Sequence, residues 1–134
     1  MIICQYIYIY IYLFIISLIN INCIGILLIA YYKAAEILEN SNERVPPELW
    51  NNIAVLYHLE GDLGMAEQMY QKAYSECEEK MNLSEVDKEY YDGLDTSISY
   101  NVSRLYETQK EPSKASVIYK KIIKNHSRYL DGKI

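Results

Sequence analysis

The sequence predicts an all-α fold, a fragment of a solenoid built from stacked helix pairs. Three observations carry this expectation. A pattern of small and aromatic residues that begins at Trp50 recurs 49 positions later. Both copies hold their apolar residues at helical rather than strand spacing. Proline and Gly-Asp punctuation falls where helix pairs should start and turn.

The first copy runs through Trp50, Ile53, Ala54, Tyr57, Gly61, Ala66, Tyr70 and Ala73. The second places Ser99, Val102, Ser103, Tyr106, Ala115, Tyr119 and Ile122 at the same relative positions. In both, nine residues separate the first tyrosine from the alanine, and four separate that alanine from the next tyrosine. The arrangement is similar to the tetratricopeptide (TPR) pattern W-x2-L-G-x2-Y…A-x3-F, with Ala for Gly and Tyr for Phe. A repeat of about 34 residues plus an insertion of 15 accounts for the offset (34 + 15 = 49). Repeats are therefore expected at about 47–80 and 96–129, with the insertion at 81–95, inside a repeat region 31–134.

The residue types follow from the architecture. A single helix pair cannot bury its apolar face, so neighbours stack to make one continuous core. Ala54, Ser103, Ala66 and Ala115 should be small because helices approach closely there. Tyr57, Tyr70, Tyr106 and Tyr119 should fill the space between layers, with hydroxyls reaching outward to a partner or water. Trp50, Ile53, Ala73, Val102 and Ile122 complete the expected repeat core.

Helices are expected near 30–40, 47–59, 63–81, 85–109 and 112–125. Tyr32-Lys-Ala-Ala35-Glu-Ile-Leu38 resembles the second half of a preceding unit. Pro46-Pro47-Glu48 opens the next helix, with Pro47 suited to its first turn and Glu48 facing the positive end of the dipole. Gly61-Asp62 breaks the pair. In the acidic insertion MNLSEVDKEYYDGLD, Ser84-x-x-Asp87 reads as a capping-box variant and Gly93 as the expected interruption. Pro112 starts the last helix, and Asn125 is its expected C-cap. Tyr129-Leu130 looks like the opening of a further unit, so the chain reads as a piece of a longer solenoid.

Residues 1–30 are unlike the rest. No Asp, Glu, Lys or Arg precedes Lys33, and Tyr6–Tyr12 reads YIYIYIY. Ile7–Ala30 is long enough for a membrane helix, for which roughly 20 apolar residues suffice. Asn20 and Asn22 interrupt it, however, and no positive charge precedes it. A half-buried strand would need one polar face, which alternating Ile and Tyr do not supply. Alternating ATA and TAT codons encode Ile-Tyr, so an AT-rich tract explains the run directly. The segment is accordingly expected to be a gene-model artefact, with a membrane helix as the other expectation.

The whole chain carries a formal net charge of −5, which gives no direct nucleic-acid signature. Cys4, Cys23 and Cys77 have neither metal-ligand nor disulfide spacing. His58 and His126 lie far apart in sequence. No nucleophile elbow or phosphate loop occurs, so neither catalysis nor a cofactor is expected. Glu76, Glu78 and Glu79 read as a solvated run. Lys120, Lys121 and Lys124 read as a helix end matched to its dipole.

Binding residues are expected on the concave face lined by the first helix of each pair. Its non-core positions are Asn51, Val55 and His58 in one unit and Tyr100, Arg104 and Glu107 in the next. The first of these helices, 48–59, offers no Lys or Arg, which disfavours a clamp for a partner's terminal carboxylate.

Val45-Pro-Pro-Glu48, the Trp50-Asn-Asn that follows, the acidic insertion and Ser99-Tyr-Asn-x-x-Arg-Leu-Tyr-Glu107 together carry a narrower resemblance. Over about 30–134 the chain resembles the TPR scaffold subunits of the RNA polymerase-associated factor (PAF) complexes. The resemblance implies a nuclear, non-catalytic scaffold whose partners are other PAF-complex subunits and RNA polymerase II. Its role would lie in transcription elongation and co-transcriptional histone modification. A membrane-anchored TPR adaptor is the other reading, and it requires residues 1–30 to be genuine. Transcripts running from an upstream repeat exon into codon 30 or 31 are the expected outcome for the nuclear reading. Abundant messages starting at Met1 would count against it.

Overall fold

The structure is a computed structural model that describes the backbone over 2–19 and 24–131, and side chains over 3–15 and 24–125. Among these residues the chain forms helices α1 (Ile2–Ile19), α2 (Ile24–Asn40), α3 (Pro47–Glu60), α4 (Leu63–Leu83), α5 (Lys88–Thr108) and α6 (Pro112–Asp131). No strand occurs among them. The fold is all-α and of the helical-repeat kind that the spacing predicts.

A few local residues set the helix ends. Pro46 is extended, and Pro47 occupies the start of α3, where a missing amide donor costs nothing. Asp62 caps α4 by accepting a hydrogen bond from the Met65 amide at 3.2 Å. Past α2, α3 and α5, residues Asn42, Gly61 and Lys110 adopt left-handed φ values of 56°, 85° and 60°. Each donates its amide to the carbonyl three residues back (Glu39, His58 and Glu107), at 3.0–3.1 Å. The next amide in each case reaches five residues back, to Leu38, Tyr57 and Tyr106, at 2.8–3.0 Å. This paired closure satisfies carbonyls that a helix end leaves open. Gly61 adopts the conformation freely and asparagine tolerates it, whereas Lys110 takes it against the steric preference of its Cβ.

Successive helices pack on one another in chain order, and α3 also touches α5. That second-neighbour contact sets the first helices of two successive pairs side by side. The core runs continuously through Ala35 and Leu38 of α2, Leu49, Trp50 and Ile53 of α3, Met69 and Tyr70 of α4, and Ile98, Val102 and Leu105 of α5. Ala54, Ala66, Ala73 and Ser103 retain no solvent exposure, and Ala115 almost none. Ser103 satisfies its buried hydroxyl internally, donating to the Ser99 carbonyl at 2.9 Å.

The tyrosines divide into two kinds. Tyr70 is buried, whereas Tyr57, Tyr106, Tyr119 and Ile122 are only partly so. The hydroxyls at the partly buried positions turn to neighbouring helices and not outward. Tyr57 donates to the Tyr32 hydroxyl at 3.1 Å, and Tyr106 to a Glu67 carboxylate oxygen at 3.4 Å. Lys72 places its ammonium 4.4 Å from the Trp50 ring centroid, so the buried indole also holds a cation at its edge of the core.

Several local expectations are corrected. The break in the insertion falls at Ser84–Asp87, and Gly93 lies within α5, so the added residues lengthen α4 and α5. Ser84 ends α4 instead of capping α5; its hydroxyl donates to Asp87 at 3.4 Å. Asn125 does not end α6, which continues to Asp131 and leaves Lys120, Lys121 and Lys124 inside the helix. Glu76 and Glu79 are not simply solvated, because both pair with Arg44, which reaches from the α2–α3 turn to Glu76 at 3.1 Å. Cys77 is a fully buried filler whose thiol donates to the Tyr91 carbonyl at 3.1 Å. Burial pushes that thiol up to about 12.

The proposed span Ile7–Ala30 is divided between α1 and α2, and residues 20–23 lie outside those described. Among the described residues, no helix is long and apolar enough to cross a membrane. The second half of α2 instead enters the repeat core through Ala34, Ala35 and Leu38. α1 lies against α2, with Tyr6 and Ile9 packed on the core and Ile3, Tyr8 and Phe14 exposed.

Truncating Tyr70 to alanine should destabilise the array by about 3–5 kcal/mol, as for a fully buried aromatic. The partly exposed Tyr57 should cost clearly less, and denaturant melts of both variants check the order. Lys110→Gly should stabilise by about 1 kcal/mol by removing a left-handed side chain. An unchanged melting midpoint would contradict the strained helix end.

Candidate functional site

The side-by-side placement of α3 and α5, backed by α4, leaves a cavity of about 260 Å³. Val55, His58 and Leu59 of α3 face Asn101, Arg104 and Thr108 of α5 across it, and Tyr70 of α4 closes the floor. Residues 55, 58 and 59 share one helical face, as do 101, 104 and 108. Pairing of the two first helices therefore sets a mainly apolar stripe of α3 opposite a polar stripe of α5 as the walls of one groove.

The walls are tied together by hydrogen bonds. The Asn101 side-chain amide donates to the Asn51 side-chain oxygen at 3.2 Å. His58 Nε2 lies 2.8 Å from the Thr108 hydroxyl. That hydroxyl already donates to the Arg104 carbonyl at 3.0 Å. Its single proton is committed there, so His58 Nε2–H is the donor in the contact between them. Burial, and after it the Arg104 guanidinium, hold the His58 imidazole below its ordinary value, which favours the neutral ring.

Of the residues expected on the concave face, Val55, His58 and Arg104 line this cavity, and Asn51 joins it through Asn101. Tyr100 and Glu107 lie elsewhere on α5, turned toward α6. The Tyr100 ring meets Tyr119 edge-on at 6.1 Å. Glu107 receives a hydrogen bond from Tyr119, which, after burial, helps to raise the Tyr119 hydroxyl. Asn101, Thr108, Leu59 and Tyr70 were not among the expected groove residues. Spacing could have found the first two, since 101, 104 and 108 repeat at three and four positions on one face.

The groove offers an apolar wall from Val55 and Leu59, a positive charge on Arg104, the second N–H of the Asn101 amide and the Nδ1 acceptor of the neutral His58 ring. This chemistry suits an extended peptide carrying an apolar side chain beside an acidic group. It contains no nucleophile–base pair. Among the described residues no group of His, Cys, Asp and Glu could hold a metal ion. The side chain of His126 lies outside the described residues.

Residues 47–80 match the tetratricopeptide repeat family. The matched segment is the unit formed by α3 and most of α4, including Trp50, Ala54, Tyr57, Ala66, Tyr70 and Ala73. No solved structure matches the chain. TPR arrays present concave surfaces to other proteins, and the α3–α5 groove is lined by α3 and α4 residues of the matched segment and by α5 residues that follow it.

Protonating His58 should loosen the α3–α5 wall. The folded-state value is depressed from 6.5, so the unfolded chain binds its proton first. Stability should be complete above pH 6.5 and should fall as the pH drops from there toward the folded-state value. His58→Gln, which keeps a donor for Thr108, should flatten that slope in thermal melts taken across the range.

Proposed function

We propose that this chain is a non-catalytic scaffold that binds other proteins through the α3–α5 groove. The observation that carries the proposal is the convergence of Arg104, Asn101 and His58 on one cavity with an apolar wall. A TPR match over 47–80 supports the general role. Within that role, we propose a nuclear scaffold of the PAF-complex type, acting with RNA polymerase II in elongation and histone modification. Support for this narrower reading comes from the resemblance carried by Val45–Glu48, Trp50–Asn52 and Ser99–Glu107.

The groove's one guanidinium stands in a chain of net charge −5. A partner segment would therefore meet local attraction for an acidic group within a generally acidic surface, which gives register more than affinity.

Tagged full-length chain purified from nuclei should bring polymerase II and other PAF subunits with it. Arg104→Glu should reduce that recovery on the order of tenfold, as for reversal of an interfacial charge, while leaving helicity unchanged. Recovery in a carbonate-resistant membrane fraction without polymerase would overturn the nuclear reading. Undiminished recovery by Arg104→Glu would remove the groove from it.

A further inference from the structure

A second and larger cavity, of about 340 Å³, opens between α1, α2 and the beginning of α3. Tyr6 and Tyr10 of α1, Tyr31 of α2, and Glu48, Leu49 and Asn52 of α3 are among its walls. It explains which letters of YIYIYIY matter. An alternation of period two cannot point one way on a helix of 3.6 residues per turn. Tyr6 and Tyr10, one turn apart, line the cavity, Tyr6 half-buried and Tyr10 still 66% exposed, whereas Tyr8 and Tyr12 are not among its lining residues.

We propose that this cleft binds a quaternary ammonium group, the head of an N-trimethylated lysine on a partner protein. Three phenol rings from two helices line a largely apolar space with one carboxylate and no Lys, Arg or His among its lining residues. Aromatic faces attract cations, and most usefully those that water hydrates weakly. Glu48 adds a negative charge whose position is fixed, because the Tyr90 hydroxyl donates to its Oε1 at 2.8 Å. The same bond occupies one of the two Glu48 carboxylate oxygens. An unmodified ammonium brings three donors and a guanidinium five, and each donor must give up water on entering a largely apolar space. A trimethylammonium has no donor to satisfy, so the cleft discriminates by what it lacks. Burial, followed by its neighbours Tyr10 and Glu48, raises the Tyr6 hydroxyl, in keeping with a desolvated and electronegative wall.

Choline headgroups carry the same cation, but a phosphate follows it closely and would meet Glu48 and an acidic chain. A lysine stem is uncharged up to its head, so we commit to a methylated protein segment. This site is separate from the α3–α5 groove and stands or falls independently of it.

The full chain, Met1–Ile134, is titrated by fluorescence anisotropy with a labelled peptide carrying one trimethyl-lysine. The same peptide with plain lysine, and with the uncharged tert-butyl isostere, provides the comparison. The trimethyl-lysine peptide should bind on the order of tenfold more tightly than either, the scale of a desolvated cation–π contact. Glu48→Gln and Tyr31→Leu should each weaken it severalfold, and Tyr6→Phe should retain it. Shifts of tyrosine ring resonances on adding the peptide to the unaltered protein provide a readout that does not depend on variants folding. Equal binding of the three peptides, no binding at millimolar concentration, or binding only to phosphatidylcholine vesicles would each overturn the proposal.

Discussion

The array depends on how closely α3 and α4 approach. Ala54, Ala66 and Ala73 have no exposed surface, and none of the three brings more than a methyl group into the packed pair. That proximity lets Tyr70 lie buried across the pair and brings Trp50 and Ile53 into the same core. A larger side chain at any of these alanines would force the pair apart, and overpacking of this kind typically costs about 1–3 kcal/mol. The second unit solves the same problem with Ser103, which fits only because its hydroxyl bonds within its own helix. Close packing thus fixes the distance between helices before any groove can exist.

Given that spacing, phenol groups hold the layers in register. Tyr57 links α3 to α2, Tyr74 links α4 to Ser99 of α5 at 2.9 Å, Tyr90 links α5 to Glu48, and Tyr106 links α5 to α4. The Tyr57, Tyr74 and Tyr106 rings pack on the core and their hydroxyls find a partner one helix away, whereas the exposed Tyr90 reaches two helices back to α3. At these four positions the hydroxyl makes a link that phenylalanine could not. Burial, with the bond from Tyr57 second, raises the Tyr32 hydroxyl far above its ordinary value, as expected of a phenol enclosed between two helices.

The pairing of helices was readable because spacing of small and aromatic residues is a local record of close approach. Helix starts at Pro47 and Pro112 were readable for the same reason, since proline acts on its own backbone. Features that depend on contacts distant in sequence were not. Arg44 finds Glu76 and Glu79 only after α4 folds back toward the α2–α3 turn. Asn101 and Thr108 become groove residues only because α3 lies beside α5, which brings Asn51 and His58 within hydrogen-bond reach. Gly93 misled because glycine lowers helix propensity without forbidding a helix, and a helix packed along α4 overrides that cost. Tyr119 and Ile122 share the repeat spacing yet remain half-exposed, since periodicity specifies a face but not what covers it.

Three of the corners between helices are sealed by the same left-handed closure, and the corner between α4 and α5 is not. That unsealed corner is also where the extra residues of the second unit reside. A closure that fixes two amides to two carbonyls admits no change of length without being dismantled, whereas an open corner can absorb whole helical turns on either side. The α4–α5 junction is therefore the natural graft point of this scaffold, where a reporter or a second recognition element could be spliced in while the stacked layers keep their alignment.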